Sequence, residues 1–184
     1  MGVIIPFETI IKNGQRVLIR SATDKDADKV LTLSYDVINE GKTLIAISEE
    51  FNITTDEQKE FIHLYNNIPL NCILVAEFNH CIIGMLTFQC GTLKRYSHHG
   101  TIGMIVDKRW RGMGIGKALL TSLIEWAYFQ PTLEKLCLEV LASNTNAISL
   151  YKKFGFIEEG RQIKQVKKSV GEYDDIILMG KFLL

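Results

Sequence analysis

Proline, paired cysteines and net charge are all scarce in this sequence of 184 residues. It has three prolines and four cysteines, and the cysteines form no C-x-x-C pair. That spacing argues against a disulfide framework and against a metal site built from cysteines. We expect reduced cysteine side chains within the apolar core, where free cysteine is commonly buried; they are Cys72, Cys81, Cys90 and Cys137.

Neither sign of charge is in excess, since Lys and Arg total 21 and Asp and Glu total 21. A balanced chain lacks the global field that attracts nucleic acid or a membrane surface. No stretch approaches the roughly 18 consecutive apolar residues of a membrane span, and the first ten residues lack a basic segment followed by an apolar core. We therefore expect a cytoplasmic protein that has neither a nucleic acid nor a membrane as its partner.

The composition, 47% hydrophobic and 23% charged, is typical of a globular chain. A length of 184 residues lies in the range of about 100–200 residues usual for one domain. We expect a single domain over residues 1–184, with its core between about residues 17 and 183.

The first half of the chain predicts one strand followed by two helices. The strand is the short apolar run 17–20, and the first helix begins near Thr23-x-x-Asp26 and ends at Gly41. A capping box predicts the start of the second helix, formed either by Thr54 with Glu57 or by Thr55 with Gln58.

Extended apolar runs replace the helical spacing in the second half. Residues 72–78 and 81–88 flank the dipeptide Asn79-His80, which predicts a hairpin. Gly84 inside the second run indicates a bulge or the close approach of another element. The later elements are a strand at 101–106, a glycine-rich segment, a helix that ends before Pro131, a strand at 136–142, a helix from Asn144 to Gly155 and two strands around Gly171.

The resulting order of elements is β-α-α-β-β-β-α-β-α-β-β. Within it, a strand, the glycine-rich turn, a helix and a second strand form a βαβ unit. Such a unit pairs its two strands in parallel, so the sequence predicts a mixed α/β fold.

Three alternating glycines stand between a strand and a helix in Arg111-Gly112-Met113-Gly114-Ile115-Gly116. Without Cβ atoms this backbone can turn sharply and present several N–H groups at a helix N-terminus, which carries partial positive charge. Such a turn can bind phosphate groups, although a purely structural turn uses the same residues. A P-loop would need glycine at Arg111 and Ser or Thr at Ala118, and a dinucleotide fingerprint would need glycine at Lys117.

Two motifs resemble those of the GNAT superfamily of N-acetyltransferases. The signature R/Q-x-x-G-x-G/A matches Arg111, Gly114 and Gly116. The resemblance implies an α/β (α+β) GNAT fold, with a twisted, mixed and mostly antiparallel sheet of about six or seven strands flanked by about four helices. The second motif, N-x-x-A-x-x-L-Y-x-K-x-G-F, matches Asn144, Ala147, Leu150, Tyr151, Lys153, Gly155 and Phe156.

The resemblance also implies acetyl-CoA as co-substrate and a small-molecule primary amine as acceptor. Protein N-terminal or lysine acetylation, a non-catalytic acyl-CoA-binding module and a nucleotide-dependent enzyme are the alternatives. In the family, backbone groups of the central strand pair with the pantetheine arm and the glycine turn holds the pyrophosphate. Carried onto this sequence, the cofactor-binding residues are Ile105, Val106, Arg111, Gly112, Met113, Gly114, Ile115, Gly116, Lys117, Asn144 and Tyr151.

Amide formation requires a neutral amine, so a proton must leave an acceptor whose alkyl amine has a pKa of about 10.4. Tyr151 is the candidate acid for the departing thiolate, or else a core aromatic. Where many relatives carry a strand Glu, this sequence has Thr101, which is not a base at neutral pH. Glu139 on the adjoining strand is a possible substitute base, or else an exposed or ion-paired residue, and a water relay is the favoured route. His98 and His99 are weaker candidates, and no metal is needed.

Two segments bear on the acceptor and on assembly. The acidic stretch 48–51 with Asp56 and Glu57 can attract a cationic amine, although a solvated surface has the same composition. The apolar strand 173–184 is predicted to be a sheet edge that pairs with a second subunit in a homodimer.

Overall fold

Eight β-strands form one continuous sheet in the computed structural model, which describes residues 4–41 and 44–183. The spatial order is β1-β2-β3-β4-β5-β6-β8-β7, in which only β5 and β6 pair in parallel. The parallel pair is the one that the βαβ unit predicts, so the mixed, mostly antiparallel sheet is confirmed. The strands are β1 (Phe7–Ile10), β2 (Arg16–Ser21), β3 (Cys72–Phe78), β4 (Cys81–Cys90), β5 (His99–Val106), β6 (Lys135–Leu141), β7 (Ile157–Ser169) and β8 (Glu172–Phe182).

Four α-helices flank the sheet: α1 (Ala27–Asn39), α2 (Thr55–Asn67), α3 (Ile115–Tyr128) and α4 (Thr145–Lys153). Of the two possible capping boxes at α2, the chain forms the one between Thr54 and Glu57. The Thr54 amide donates to Glu57 Oε2 at 2.8 Å and the Glu57 amide donates to Thr54 Oγ1 at 3.3 Å. Within residues 4–41 and 44–183, no helix is both long and apolar enough to cross a membrane.

The structure corrects three expectations. The strand count is eight rather than six or seven, because β1 adds a short, mostly exposed edge strand antiparallel to β2. The strand at 173–184 is not a sheet edge: β8 lies between β6 and β7, so β7 is the edge and Leu184 lies outside the described residues. Cys81 is exposed at the start of β4, whereas Cys72 and Cys90 are buried and Cys137 is half-buried; all four are free thiols.

The sheet separates two apolar layers. Helices α3 and α4 pack on one face, against the larger core cluster that includes Ile102 of β5. Helices α1 and α2 pack on the other face, where Ile105 of the same strand contacts the smaller cluster. Because side chains alternate along a strand, consecutive residues of β5 and of β6 point into opposite apolar layers.

A buried ion pair joins α1 to the sheet. Arg20 on β2 donates from Nη1 and Nη2 to the two carboxylate oxygens of Asp26, both at 2.7 Å, and its Nε donates to Glu77 at 2.8 Å. Burial acts to raise the pKa of Asp26, but the hydrogen bonds from Arg20 and Thr23 outweigh burial and lower it. The charged form of Asp26 is therefore stabilised by folding.

Replacing Asp26 by Asn is expected to lower the free energy of unfolding by about 2 kcal/mol, because the half-buried Arg20 guanidinium keeps Glu77 but loses the carboxylate that accepts two of its hydrogen bonds. The matched variant Asp56→Asn removes an exposed carboxylate that contacts Lys59 at 3.0 Å, and it should change stability by less than about 1 kcal/mol. Urea unfolding of the two variants and the wild type measures both quantities.

The same pair predicts a pH dependence. A carboxyl group whose pKa is lowered by folding stabilises the protein above its unfolded pKa, and this stabilisation is lost as the pH falls through the folded value. The stability difference between wild type and Asp26→Asn should stay constant above about pH 5 and shrink below about pH 4. A difference that stays the same down to pH 3 would contradict this assignment.

Candidate functional site

The parallel strands β5 and β6 separate midway. Their pairing runs from His99 with Lys135 to Ile102 with Leu138 and stops there. Beyond that point Gly103–Val106 remains paired with β4, while the end of β6 remains paired with β8. One edge of Gly103–Val106 therefore has no strand partner in the described part of the chain, and Ile105 and Val106, the residues predicted to bind pantetheine, lie in this segment.

The glycine-rich turn leads from β5 into α3. Gly112 and Gly114 have φ values of 74° and 106°, in the left-handed region that favours glycine. The first helical hydrogen bond runs from the Ala118 amide to the Gly114 carbonyl at 3.0 Å, so the preceding amides point out of the helix end. Among the residues that the structure describes, none accepts a hydrogen bond from the amides of Gly112, Gly114, Ile115, Gly116 or Lys117.

The two other amides of the predicted set face the preceding turn. Arg111 donates its amide to the Lys108 carbonyl at 3.5 Å, and Met113 donates to the Trp110 carbonyl at 3.4 Å. Both hydrogen bonds are long. The remaining five amides, here called the outward amides, have no acceptor in the described residues. Free amides at the positive end of a helix dipole are groups that can bind an anion.

Arg111 fixes this turn through its side chain. Its guanidinium donates to both carboxylate oxygens of Glu40, at 2.6 and 2.8 Å, and its Nε donates to the Val106 carbonyl at 2.9 Å. From the other side, the Lys12 amide donates to the Met113 carbonyl at 3.0 Å. The Arg111 side chain therefore holds the turn in place. The Val106 carbonyl already accepts a hydrogen bond from this side chain.

Helix α4 lies against the start of α3. A Cβ atom added to Gly116 would come within 3.1 Å of Leu150 Cδ2 and 3.3 Å of the Met104 methyl group, so the absence of a side chain permits this contact. Asn144 caps α4, since its Oδ1 accepts from the Ala147 amide at 3.3 Å. The close contact places Leu150 of α4 beside the first turn of α3 and beside Met104 of β5.

Tyr151 is buried, with only 6% of its surface exposed and its ring 5.7 Å from that of Phe156. Burial raises the pKa of its hydroxyl to about 12. No hydrogen bond joins this hydroxyl to another residue within the described ranges. Tyr151 thus packs as a core aromatic and also keeps a protonated hydroxyl without a protein partner.

A cavity of about 430 Å³ opens on the opposite face, between β4 and helices α1 and α2. From the predicted acidic segment it includes Phe51 and Glu57, whereas Asp56 is exposed and pairs with Lys59. Hydrogen bonds from Thr54 lower the pKa of Glu57, which is therefore ionised at neutral pH. The lining consists of Ser34, Phe51, Asn52, Ile53, Glu57, Gln58, Phe61, Met85 and Thr87.

Thr87 connects this cavity to the separated strands. It pairs with Gly103, and a Cβ atom added to Gly103 would lie 2.8 Å from Thr87 Oγ1. Because Ile102 is paired with Leu138, Glu139 on β6 is level with Gly103 across the gap. Glu139 is exposed, and no ion pair joins it to another residue in the described ranges.

The other candidate bases lie elsewhere. Thr101 pairs with Gln89 and Cys137 before the strands separate. His98 precedes β5, and His99, at the first position of β5, is about 13 Å from Gly103 by strand rise. Burial and the neighbouring His98 lower the pKa of His99, whose Nδ1 is buried without a partner in the described part of the chain. The described residues contain no group of three or more His, Cys, Asp or Glu arranged to hold a metal ion.

Residues 42–156 match the family model described as the acetyltransferase (GNAT) family. An L-amino acid N-acetyltransferase of Escherichia coli is 34% identical over 108 residues, which span 59% of this chain and 66% of the relative, just under two thirds of its length. A GNAT-family acetyltransferase structure from Streptococcus pneumoniae has a TM-score of 0.84 at 30% identity, covering 90% of this chain and 98% of that one. A Salmonella typhimurium structure with its cofactor acetyl-CoA shares the fold, with a TM-score of 0.81 at 18% identity over 92% of this chain and 95% of that one.

Gly114→Ala is expected to strain the turn and displace the outward amides, weakening the binding of coenzyme A by at least about tenfold. A left-handed alanine costs roughly 1–2 kcal/mol of stability. Gly171→Ala is the matched control, because Gly171 also has a left-handed φ of 81° and open space around it, but lies in the β7–β8 hairpin. Urea unfolding should show similar losses for both variants, while calorimetric titration should show weaker binding for Gly114→Ala alone; equal affinities would contradict the assignment of the turn.

Proposed function

Since this chain belongs to the GNAT family of acetyltransferases, we propose that it transfers the acetyl group of acetyl-CoA to a primary amine of a small-molecule acceptor. The observation that carries the proposal is the set of five outward amides next to the unpaired edge of Gly103–Val106. A phosphate chain needs such amides, and an extended amide-containing arm needs such an edge. The acetyl-CoA bound in the Salmonella structure is consistent with the same use of the fold.

Two parts of the cofactor, the pyrophosphate and the pantetheine arm, are assigned to backbone groups in this proposal. The amides of Gly112 and of residues 114–117 would hold the pyrophosphate, and the unpaired edge near Ile105 would pair with the pantetheine arm. The carboxamide nitrogen of Asn144 is not used in capping α4 and can donate to the same arm. Backbone groups therefore carry most of the binding, and the side chain of Arg111 acts by holding the turn.

The reaction is a direct acyl transfer. The neutral amine attacks the thioester carbonyl, a C–N bond forms, and the resulting oxyanion accepts a hydrogen bond from a free amide of the unpaired edge. The C–S bond then breaks and the thiolate takes up a proton. With a pKa of about 12, the Tyr151 hydroxyl stays protonated at neutral pH and can donate a hydrogen bond to the departing sulfur.

The amine proton leaves on the side of the sheet that carries Glu139. Glu139 is level with Gly103 and has solvent around it, so it can accept the proton directly or pass it on through water. Both routes end in bulk solvent. Glu139→Gln distinguishes them: kcat falls by about 100-fold if Glu139 is the base and changes by less than about twofold if water relays the proton.

Thermal unfolding tests the cofactor. A ligand at about 100 times its dissociation constant stabilises the folded state by about 2.7 kcal/mol, which raises the midpoint by roughly 5–10 °C for a chain of this size. We expect this shift with acetyl-CoA and with CoA, and none with ATP or NADH. A shift with ATP or NADH alone would overturn the proposal.

Tyr151→Phe is expected to lower kcat by about 100-fold while the dissociation constant of acetyl-CoA changes by less than about twofold, because only the hydroxyl is removed. Tyr128→Phe is the matched control, since Tyr128 is exposed on α3 and should keep full activity. Thiol release and calorimetric titration measure the two effects. An unchanged kcat in Tyr151→Phe would show that Tyr151 is a core residue without a catalytic role. If the wild-type chain bound the cofactor but released no thiol with any amine, it would be a binding module and not an enzyme.

A further inference from the structure

Three polar side chains of the cavity between β4 and helices α1 and α2, here called its floor, lack hydrogen-bond partners within residues 4–41 and 44–183. Gln58 and Ser34 are 6% and 7% exposed, and Thr87 is half-buried; all three line the cavity. No hydrogen bond joins any of these three side chains to a residue within 4–41 or 44–183. The polar atoms of these side chains are not among the buried ones without a partner, so they reach solvent in the cavity. A polar ligand there can replace water as their hydrogen-bond partner.

Ser34 shows that the lack of partners is specific to the cavity. A helical Ser or Thr commonly donates its hydroxyl to the carbonyl four residues earlier. Thr32 on the same helix does so to Asp28 at 2.8 Å, and Ser122 on α3 does so to Ala118 at 2.9 Å. Ser34 does not, so its hydroxyl is left for the cavity.

The walls above this floor are apolar. Phe51, Ile53, Phe61 and Met85 line them, and Phe61 is 42% exposed. The rings of Phe51 and Tyr35 make an edge-to-face contact with their centroids 4.9 Å apart. The rings of Phe61 and Tyr65 make a tilted contact at the same centroid distance. Such walls favour an acceptor that brings an apolar side chain with it.

The only charge among the described lining residues is that of Glu57. An ionised carboxylate at the rim attracts an ammonium group and repels a carboxylate. The carboxylate of a free amino acid would meet this repulsion and would have only neutral partners in the floor. A neutral amide would instead find both a donor and an acceptor in the Gln58 carboxamide.

We propose that the acceptor is an α-amine followed by a neutral amide and bearing an apolar side chain, as in a peptide N-terminus or an amino acid amide. Its amide binds the floor formed by Gln58, Ser34 and Thr87, and its side chain packs against Phe51 and Phe61. Its amine then lies near Thr87 and Gly103, opposite Glu139. This inference rests on the proposed function and specifies its acceptor.

A thiol-release assay with three matched amines tests it. We expect kcat/KM for L-phenylalanine amide to exceed that for free L-phenylalanine by at least about 50-fold, and that for glycine amide by at least about tenfold. Free phenylalanine used as well as its amide, or glycine amide used as well as phenylalanine amide, would overturn the acceptor inference. Turnover of other primary amines with no turnover of phenylalanine amide would also overturn it, while leaving the proposed function standing.

A charge variant provides an independent measurement. Gln58→Lys should lower kcat/KM for phenylalanine amide and raise that for free phenylalanine, each by about tenfold, because the new ammonium group pairs with the carboxylate. Gln165→Lys on the exposed strand β7 is the matched control and should change neither value by more than about twofold. An unchanged preference in Gln58→Lys, with the acetyl-CoA dissociation constant and the thermal midpoint preserved, would show that Gln58 does not contact the acceptor.

Discussion

Strands β5 and β6 pair only as far as Ile102 and Leu138, and beyond that point each strand keeps only its other neighbour. β5 continues along β4 as far as Val106, while β6 continues along β8 as far as Leu141. The gap between them leaves one polar backbone edge open and connects the two faces of the sheet. Tyr151 lies on one face and Glu139 on the other, so in the proposed reaction the two groups act on the same centre only through this gap.

The glycine turn contributes amides only because other elements hold it. Arg111 ties it to the end of α1 through Glu40 and to the end of β5 through the Val106 carbonyl. The outward amides at the start of α3 lack helical partners, as the first amides of any helix do. The proposed anion-binding site therefore uses amides that the helix end leaves free in any case. It requires that Arg111 keep the left-handed glycines in place.

Local rules were sufficient where a residue's neighbours in sequence decide its structure. The bounds of β3, a capping box at the start of α2, and the turn at Asn79 and His80 were all predictable in this way, although the sequence left open whether Thr54 or Thr55 forms the box. The partner of Arg111 was not, because Glu40 is 71 residues away. The same holds for the place of β8 inside the sheet and for the cavity floor, where Ser34, Gln58 and Thr87 come from three separate elements.

Thr101, at the position where the family resemblance implies a catalytic Glu, is consistent with the proposed acceptor. A lysine side chain with a pKa of about 10.4 is almost entirely protonated near neutral pH, so its acetylation needs a well-placed base. An α-amine has a pKa of about 7.7–8.0, and a tenth or more of it is already neutral at pH 7. An exposed carboxylate such as Glu139, or water beside it, is sufficient to take the remaining proton. The neutral cavity floor and the exposed base thus favour the same class of amine for independent physical reasons.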